Sequence, residues 1–182
     1  MCRFHTNDKE HGINIVIADF MNLSKVRSVI GLNYKEHKEE KCTVQCTYIK
    51  WKYNNRVLDV HEGDFYDRTT INVYTNFRTT NQKFKLTHRG NGYHSIDIMG
   101  YSLDIEDNEI RSGTRVMLWR HNGGDNQLWK LDPLSSDSGS YIIRSKANEN
   151  LVMDVDTSYN PDRLFIRSYT GGFRQIFELE DC

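Results

Sequence analysis

Two short markers occur three times along the chain, always in the same order, and that repetition constrains the fold more than any other feature. Val57-Leu58-Asp59-Val60 recurs as Ser102-Leu103-Asp104-Ile105 and as Val152-Met153-Asp154-Val155, at steps of 45 and 50 residues. Asn81-Gln82-Lys83-Phe84-Lys85-Leu86 recurs as Asn126-Gln127-Leu128-Trp129-Lys130-Leu131 and as Arg174-Gln175-Ile176-Phe177-Glu178-Leu179. Within each copy the Asp precedes the Gln by 23, 23 and 21 residues. A repeat of this length is one supersecondary unit, too small to bury its apolar face alone, so neighbouring copies must share a core.

The segments between the markers read as short alternating strands. They are Tyr48-Ile49-Lys50-Trp51-Lys52-Tyr53, Thr70-Ile71-Asn72-Val73-Tyr74, Arg115-Val116-Met117-Leu118-Trp119, Tyr141-Ile142-Ile143-Arg144 and Leu164-Phe165-Ile166-Arg167. Turn chemistry separates them at Asn54-Asn55, Arg89-Gly90-Asn91-Gly92, Asn122-Gly123-Gly124, Ser138-Gly139 and Gly171-Gly172. Three copies of about four short strands around one core give an all-β fold with pseudo-threefold symmetry, a β-trefoil.

The chain has 182 residues, enough for one domain with an appendage and for a core that needs no metal or disulfide to form. Its 24 Lys+Arg against 25 Asp+Glu leave a net charge of -1, which argues against a general nucleic-acid binder. No apolar run approaches the roughly 20 residues that cross a bilayer, so no membrane insertion is expected. Met1-Cys2-Arg3-Phe4-His5 lacks an apolar stretch behind a basic head and does not read as a signal peptide.

Residues 1–45 fall outside the repeats and form an N-terminal extension; the repeats run over about 46–92, 93–140 and 141–182. In the extension Ile13-Asn14-Ile15-Val16-Ile17 has strand character, while Phe20, Leu23, Val26 and Ile30 fall at helical spacing before Gly31, with Asp19 placed to cap the start. A short helix is expected there. Lys35-Glu36-His37-Lys38-Glu39-Glu40-Lys41 reads as a solvated linker, and Asn22-Leu23-Ser24 is a glycosylation sequon if the chain is secreted.

On the Leu-Asp-Val strands and the Gln-x-Phe, Gln-x-Trp endings, the chain resembles the ricin B-chain type of β-trefoil lectin, over roughly residues 46 to 181. The resemblance implies that Phe84, Trp129 and Phe177 form a threefold hub surrounded by Leu58, Leu103 and Met153. It also implies carbohydrate binding, of the galactose or N-acetylgalactosamine type, through the first and second repeats. A hexose needs a carboxylate to accept hydrogen bonds from adjacent hydroxyls, an amide beside it, and an aromatic face under the apolar side of the ring.

The first copy supplies Asp59, Tyr74 fifteen residues on, Asn81 and Gln82, with Asn72 on the strand face of Tyr74. In the second, Asp104, Trp119, Asn126 and Gln127 keep the spacing, and Trp119 is expected to be an exposed stacking platform. The third departs. Counting forward from Asp154 gives Tyr169 at the aromatic position, counting back from Gln175 gives Arg167, and Arg174 replaces the Asn. A galactose-type set is incomplete there, so the copy is expected to be weak or silent, although an Arg suits a charged sugar or a protein carboxylate.

Cys2, Cys42, Cys46 and Cys182 lie toward the two ends of the chain and are candidates for disulfides in a secreted protein. The first and last strands of a trefoil lie side by side, so Cys182 is expected to pair with Cys42 or Cys46, and Cys2 with the other. The pair Cys42, Cys46 lacks the companions of a zinc site. The seven histidines show no ligand spacing and no nucleophile elbow is present, so no catalysis, metal or cofactor is expected. Glycans or glycoproteins are the expected partners. The competing reading is a secreted protein-binding trefoil, an effector or inhibitor that uses its loops and the N-terminal extension, with the sugar positions as remnants.

Overall fold

The computed structural model describes residues 46–134 and 139–182, and over them the chain forms twelve antiparallel strands. The first four are β1 (Thr47–Trp51), β2 (Arg56–Val60), β3 (Ile71–Tyr74) and β4 (Lys85–His88). Next come β5 (Tyr93–Ile98), β6 (Tyr101–Ile105), β7 (Thr114–Arg120) and β8 (Trp129–Pro133). The last four are β9 (Ser140–Ser145), β10 (Leu151–Asp156), β11 (Asp162–Ser168) and β12 (Phe177–Asp181). The helix expected near Phe20–Ile30, the strand at 13–17, the charge run, the sequon, Cys2 and Cys42 all lie outside the described residues.

The ladders build a barrel and a cap, joined where β1 pairs β2, β5 pairs β6 and β9 pairs β10. β1 pairs β12, β12 pairs β9, β9 pairs β8, β8 pairs β5 and β5 pairs β4. Thr47 and Phe84 close the ring by exchanging backbone hydrogen bonds of 2.7 and 3.0 Å, which makes a six-stranded barrel without a free strand edge. The hairpins β2–β3, β6–β7 and β10–β11 form a triangular cap. In it β11 pairs both β3 and β7, and Thr70 bridges Met117 between the other two hairpins. This is the β-trefoil.

The core follows from the repeated apolar positions. Phe84, Trp129 and Phe177 are fully buried, as are Leu58, Leu103 and Met153, and all six belong to one cluster. Trp129 places its only polar atom by donating Nε1–H to the Leu103 carbonyl at 3.2 Å. Some turns are less legible than the strands. β5 and β6 are joined through Met99 and Gly100, with φ of 49° and 86°, the two positive angles of a type I′ turn. Methionine is not a turn-forming residue, and nothing in the local sequence but Gly100 signals this one. Cys46 and Cys182 form a disulfide with Cα atoms 5.5 Å apart, beside the β1–β12 ladder whose last pair is Thr47 with Asp181.

Candidate functional site

Each repeat places an aspartate between two buried apolar residues of a strand, where burial of a charge needs compensation. Asp59, Asp104 and Asp154 are 7%, 3% and 5% exposed. A glutamine supplies that compensation in the same way three times. Gln82, Gln127 and Gln175 donate Nε2–H to Oδ2 of their aspartates at 2.8, 2.8 and 2.9 Å. The same amides donate to the carbonyls of Thr75, Arg120 and Ser168, and their Oε1 atoms accept from the backbone N–H groups of Phe77, Asn122 and Thr170. Both N–H donors and the carbonyl are thus used inside the protein, and each glutamine is at most 1% exposed. Gln82 and Gln127, expected among the sugar contacts, therefore hold the site together from behind rather than line it.

The asparagines add to the clamp. Asn81 Nδ2 donates to Asp59 Oδ2 and to the Val60 carbonyl, both at 3.0 Å, and Asn126 Nδ2 donates to Asp104 Oδ2 at 2.9 Å. Asn126 is reached only because residue 124 lacks a side chain: a Cβ on Gly124 would sit 2.5 Å from Asn126 Oδ1. In both repeats the two amides converge on Oδ2, and Oδ1 receives no hydrogen bond from any described residue. A fixed carboxylate with one open acceptor is the result.

Burial dominates the ionisation of these groups. It pushes Asp104 up to about 6, against the hydrogen bonds from Gln127 and Asn126 and with help from the charges of Asp107 and Asp67. Asp59 is also raised, again chiefly by burial, while Gln82, Asn81 and the nearby His61 oppose the rise.

The surroundings of the two open carboxylates differ. β2–β3 register sets Asp59 opposite Asn72 and Val57 opposite Tyr74. Tyr74 is 44% exposed, and Phe77, 63% exposed, lies with its ring centroid 6.1 Å away, a neighbour the sequence reading missed although the other copies carry Asn122 and Thr170 at that place. Asn72 is buried and its Nδ2 meets His61 Nδ1 at 3.0 Å, so it braces the strand pair more than it faces solvent.

In the second repeat Asp104 faces Met117 and Ser102 faces Trp119, the same register. Trp119, expected to be exposed, is half-buried, and the Arg68 guanidinium lies 5.6 Å from its ring centroid. Arg68 belongs to the β2–β3 connection of the first repeat, adopts φ of 74°, and is tied to Asp107 and, at 3.7 Å, to Glu106. That connection docks on β7 through Arg68 N–H to the Leu118 carbonyl and Leu118 N–H to the Thr69 carbonyl, both 2.8 Å. Arg120 N–H also donates to Asp67 Oδ1 at 2.9 Å.

The third repeat resolves the conflict of register. Asp154 faces Phe165 and Val152 faces Arg167, so Arg167 occupies the place of Tyr74 and Trp119. The β10–β11 connection is two residues shorter than the spacing of the other copies, which is why counting forward overshoots to Tyr169. Tyr169 lies instead beyond β11, under Arg144 at 4.9 Å. Arg167 donates to Asp154 Oδ1 at 2.9 Å and to Asp156 Oδ2 at 2.5 Å, filling the acceptor that stays open in the other repeats. Burial works against ionisation of Asp156, but hydrogen bonds from Ser158 and Arg167 outweigh it and hold the carboxyl at about 2. Arg174, in the asparagine position, makes no hydrogen bond to Asp154; its guanidinium lies 5.9 Å from the Phe173 ring.

Comparison with known proteins agrees with the fold. Residues 81–163 match the family described as ricin-type beta-trefoil lectin domain-like. A ricin B-like lectin of Arabidopsis thaliana is 38% identical over 52 residues, a stretch that is 24% of this chain and 16% of that relative's length. The designed three-fold symmetric protein ThreeFoil superposes with a TM-score of 0.69 at 26% identity, covering 75% of this chain and 99% of that one. An exo-beta-1,3-galactanase from Clostridium thermocellum gives 0.71 at 26% identity over 76% of this chain and 30% of its own.

Proposed function

We propose that this chain, whose repeat domain belongs to the ricin-type β-trefoil lectin-like family, binds carbohydrate through its first and second repeats. One observation carries the reading: twice over, a buried aspartate has one oxygen pinned by two amides and the other open beside a strand aromatic. The open Oδ1 of Asp59 or Asp104 accepts from vicinal sugar hydroxyls, the Asn side chain completes the polar edge, and Tyr74 or Trp119 lies under the apolar ring face. A galactose or N-acetylgalactosamine ring suits this arrangement because its axial 4-hydroxyl leaves one face apolar. The first repeat is the readier of the two, since Tyr74 is the more exposed and Arg68 overlies Trp119.

Two sites on one domain favour multivalent surfaces, where avidity exceeds the affinity of either site. Glycoproteins outside the cell are the proposed partners, and the Cys46–Cys182 disulfide supports an oxidising, extracellular setting. The role is that of a binder without catalysis. Calorimetric titration with methyl β-galactoside tests it. Asp59→Asn and Asp104→Asn each preserve the clamp through the amide oxygen but turn an NH2 toward the ligand, so each removes one site and the double substitution removes both. Galactoside binding unchanged in the double variant overturns the assignment.

A further inference from the structure

The third repeat, incomplete as a galactose site, contains a cleft of about 360 Å³ lined by Asp154, Asp156, Arg167, Thr170, Phe173 and Arg174. Its carboxylates are spoken for. Asp154 accepts from Arg167 and Gln175, and Asp156 accepts from Ser158 and Arg167, so all four oxygens are engaged within the protein. Arg167 is spent on those two aspartates. Neither aspartate keeps an oxygen without a partner, as Asp59 and Asp104 do, for the vicinal hydroxyls of a neutral sugar.

What remains open is a cation and an aromatic face. Arg174 is exposed and makes no ion pair with any described residue. Phe173 is 50% exposed and stands 4.6 Å, centroid to centroid, from Tyr53, itself 66% exposed, in the β1–β2 turn. The loop is held there by Trp51, whose Nε1–H donates to the Phe173 carbonyl at 2.9 Å.

Both rings, Tyr53 and Phe173, also pack against the buried Trp51 indole, at 5.4 and 6.3 Å between centroids, but the backbone closes the repeat junction in the same way without such a pair elsewhere. Lys52 N–H donates to the Ile176 carbonyl as Lys146 N–H donates to the Leu128 carbonyl, so the two junctions are equivalent. At the second, Asp125, two residues before Gln127, pairs with Lys146 at 2.9 Å. At the first, Phe173 takes the position of Asp125. The second junction thus carries an acidic side chain at this position, whereas the first, where Lys52 meets Glu178 instead, presents two rings to solvent beside the Arg174 guanidinium.

We propose that the third repeat binds an acidic sugar, a pyranose bearing a carboxylate, which accepts hydrogen bonds from the Arg174 guanidinium while an apolar ring face rests on Phe173 and Tyr53. The aromatic platform is thus supplied by the loop before Gln175 instead of by the strand, and the charge preference is the reverse of that at Asp59 and Asp104. The inference shares with the preceding section only the choice of sugars as the ligand class. Its residues are different.

Calorimetric titrations of the full chain at low ionic strength test it with three probes: methyl α-N-acetylneuraminate, methyl β-glucuronide and uncharged methyl β-galactoside. An acidic sugar is expected to bind one site, and which of the two binds identifies the carboxylate's setting. Arg174→Gln and Phe173→Leu, both at exposed positions, are each expected to weaken that binding by roughly tenfold, the loss of one charge-assisted contact or one stacking face. The Asp59→Asn, Asp104→Asn double variant should bind the acidic sugar as the parent does. Binding of neither acidic sugar, binding insensitive to Arg174→Gln, or binding lost in the double aspartate variant overturns the proposal. Failure of the galactoside alone to bind overturns only the two-site reading.

Discussion

Asp104→Asn should make the protein more stable at neutral pH while removing a binding site. The carboxyl ionises near 6 in the folded state against 3.8 without the fold, because only 3% of Asp104 reaches solvent. The native state therefore holds this proton more tightly than the unfolded chain does. Stability tied to the group is full below pH 3.8, falls as pH rises, and is lost above the folded value of about 6. At about 1.4 kcal/mol for each tenfold change in proton affinity, the burden of the ionised group above pH 7 reaches up to about 3 kcal/mol. An asparagine has nearly the same shape, keeps an oxygen for Gln127 and Asn126, and carries no charge. The expected gain at pH 7.5 is on the order of 1–3 kcal/mol, or roughly 3–10 °C for a domain of this size. Melting curves of both proteins from pH 4 to 8 measure it as a difference, in which the titration of His94 cancels. That cancellation matters because burial lowers the His94 pKa, and its contribution to stability changes with pH in the opposite sense. A variant that melts at or below the parent at pH 7.5, or a difference that does not grow between pH 4 and 7, refutes the reasoning.

Replacing Trp129 by Ala should cost roughly 3–5 kcal/mol in urea unfolding, since the side chain is fully buried in the hub. Gln82→Ala leaves the Asp59 carboxylate, the Thr75 carbonyl and the Phe77 N–H without their shared partner, and a loss of about 2–4 kcal/mol is expected by the same measurement. Gly124→Ala would set a Cβ 2.5 Å from Asn126 Oδ1 and push that amide aside, so calorimetry should show the second site weakened and the first untouched. Cys46→Ser should cost roughly 2–5 kcal/mol, because the bridge spans 136 residues and restricts the unfolded chain strongly; equal melting of parent and variant without reductant would contradict this.

The fold was legible because threefold repetition imposes three simultaneous constraints on one hub. Leu58, Leu103 and Met153 keep apolar bulk at equivalent places, and Phe84, Trp129 and Phe177 keep an aromatic. The site was only partly legible, for reasons of distance and geometry. Asp59 and Asp104 announce themselves as charges inside apolar strands, but the task of the glutamines depends on loop backbone groups that no spacing reveals. Arg68 reaches Trp119 across 51 positions of sequence, through a connection that docks on another repeat. Arg167 is ambiguous until strand register fixes it, because a shortened connection shifts one marker against the other. The Met99-Gly100 turn shows the reverse case, a backbone conformation that hairpin twist imposes on a residue with no preference for it.

The disulfide makes the segment from Cys46 to Cys182 a covalent ring, and the barrel seam beside it is an ordinary strand pair with no special place among the six. A protease that cuts any one surface loop within that ring opens the circle without dividing the molecule. The nicked chain keeps its mass on a non-reducing gel and splits only after thiol is added. The same topology means that the position of the termini is nearly arbitrary: joining 46 to 182 through a short peptide and opening the chain in another turn, such as Asn91-Gly92, gives a permuted domain with every strand pairing preserved.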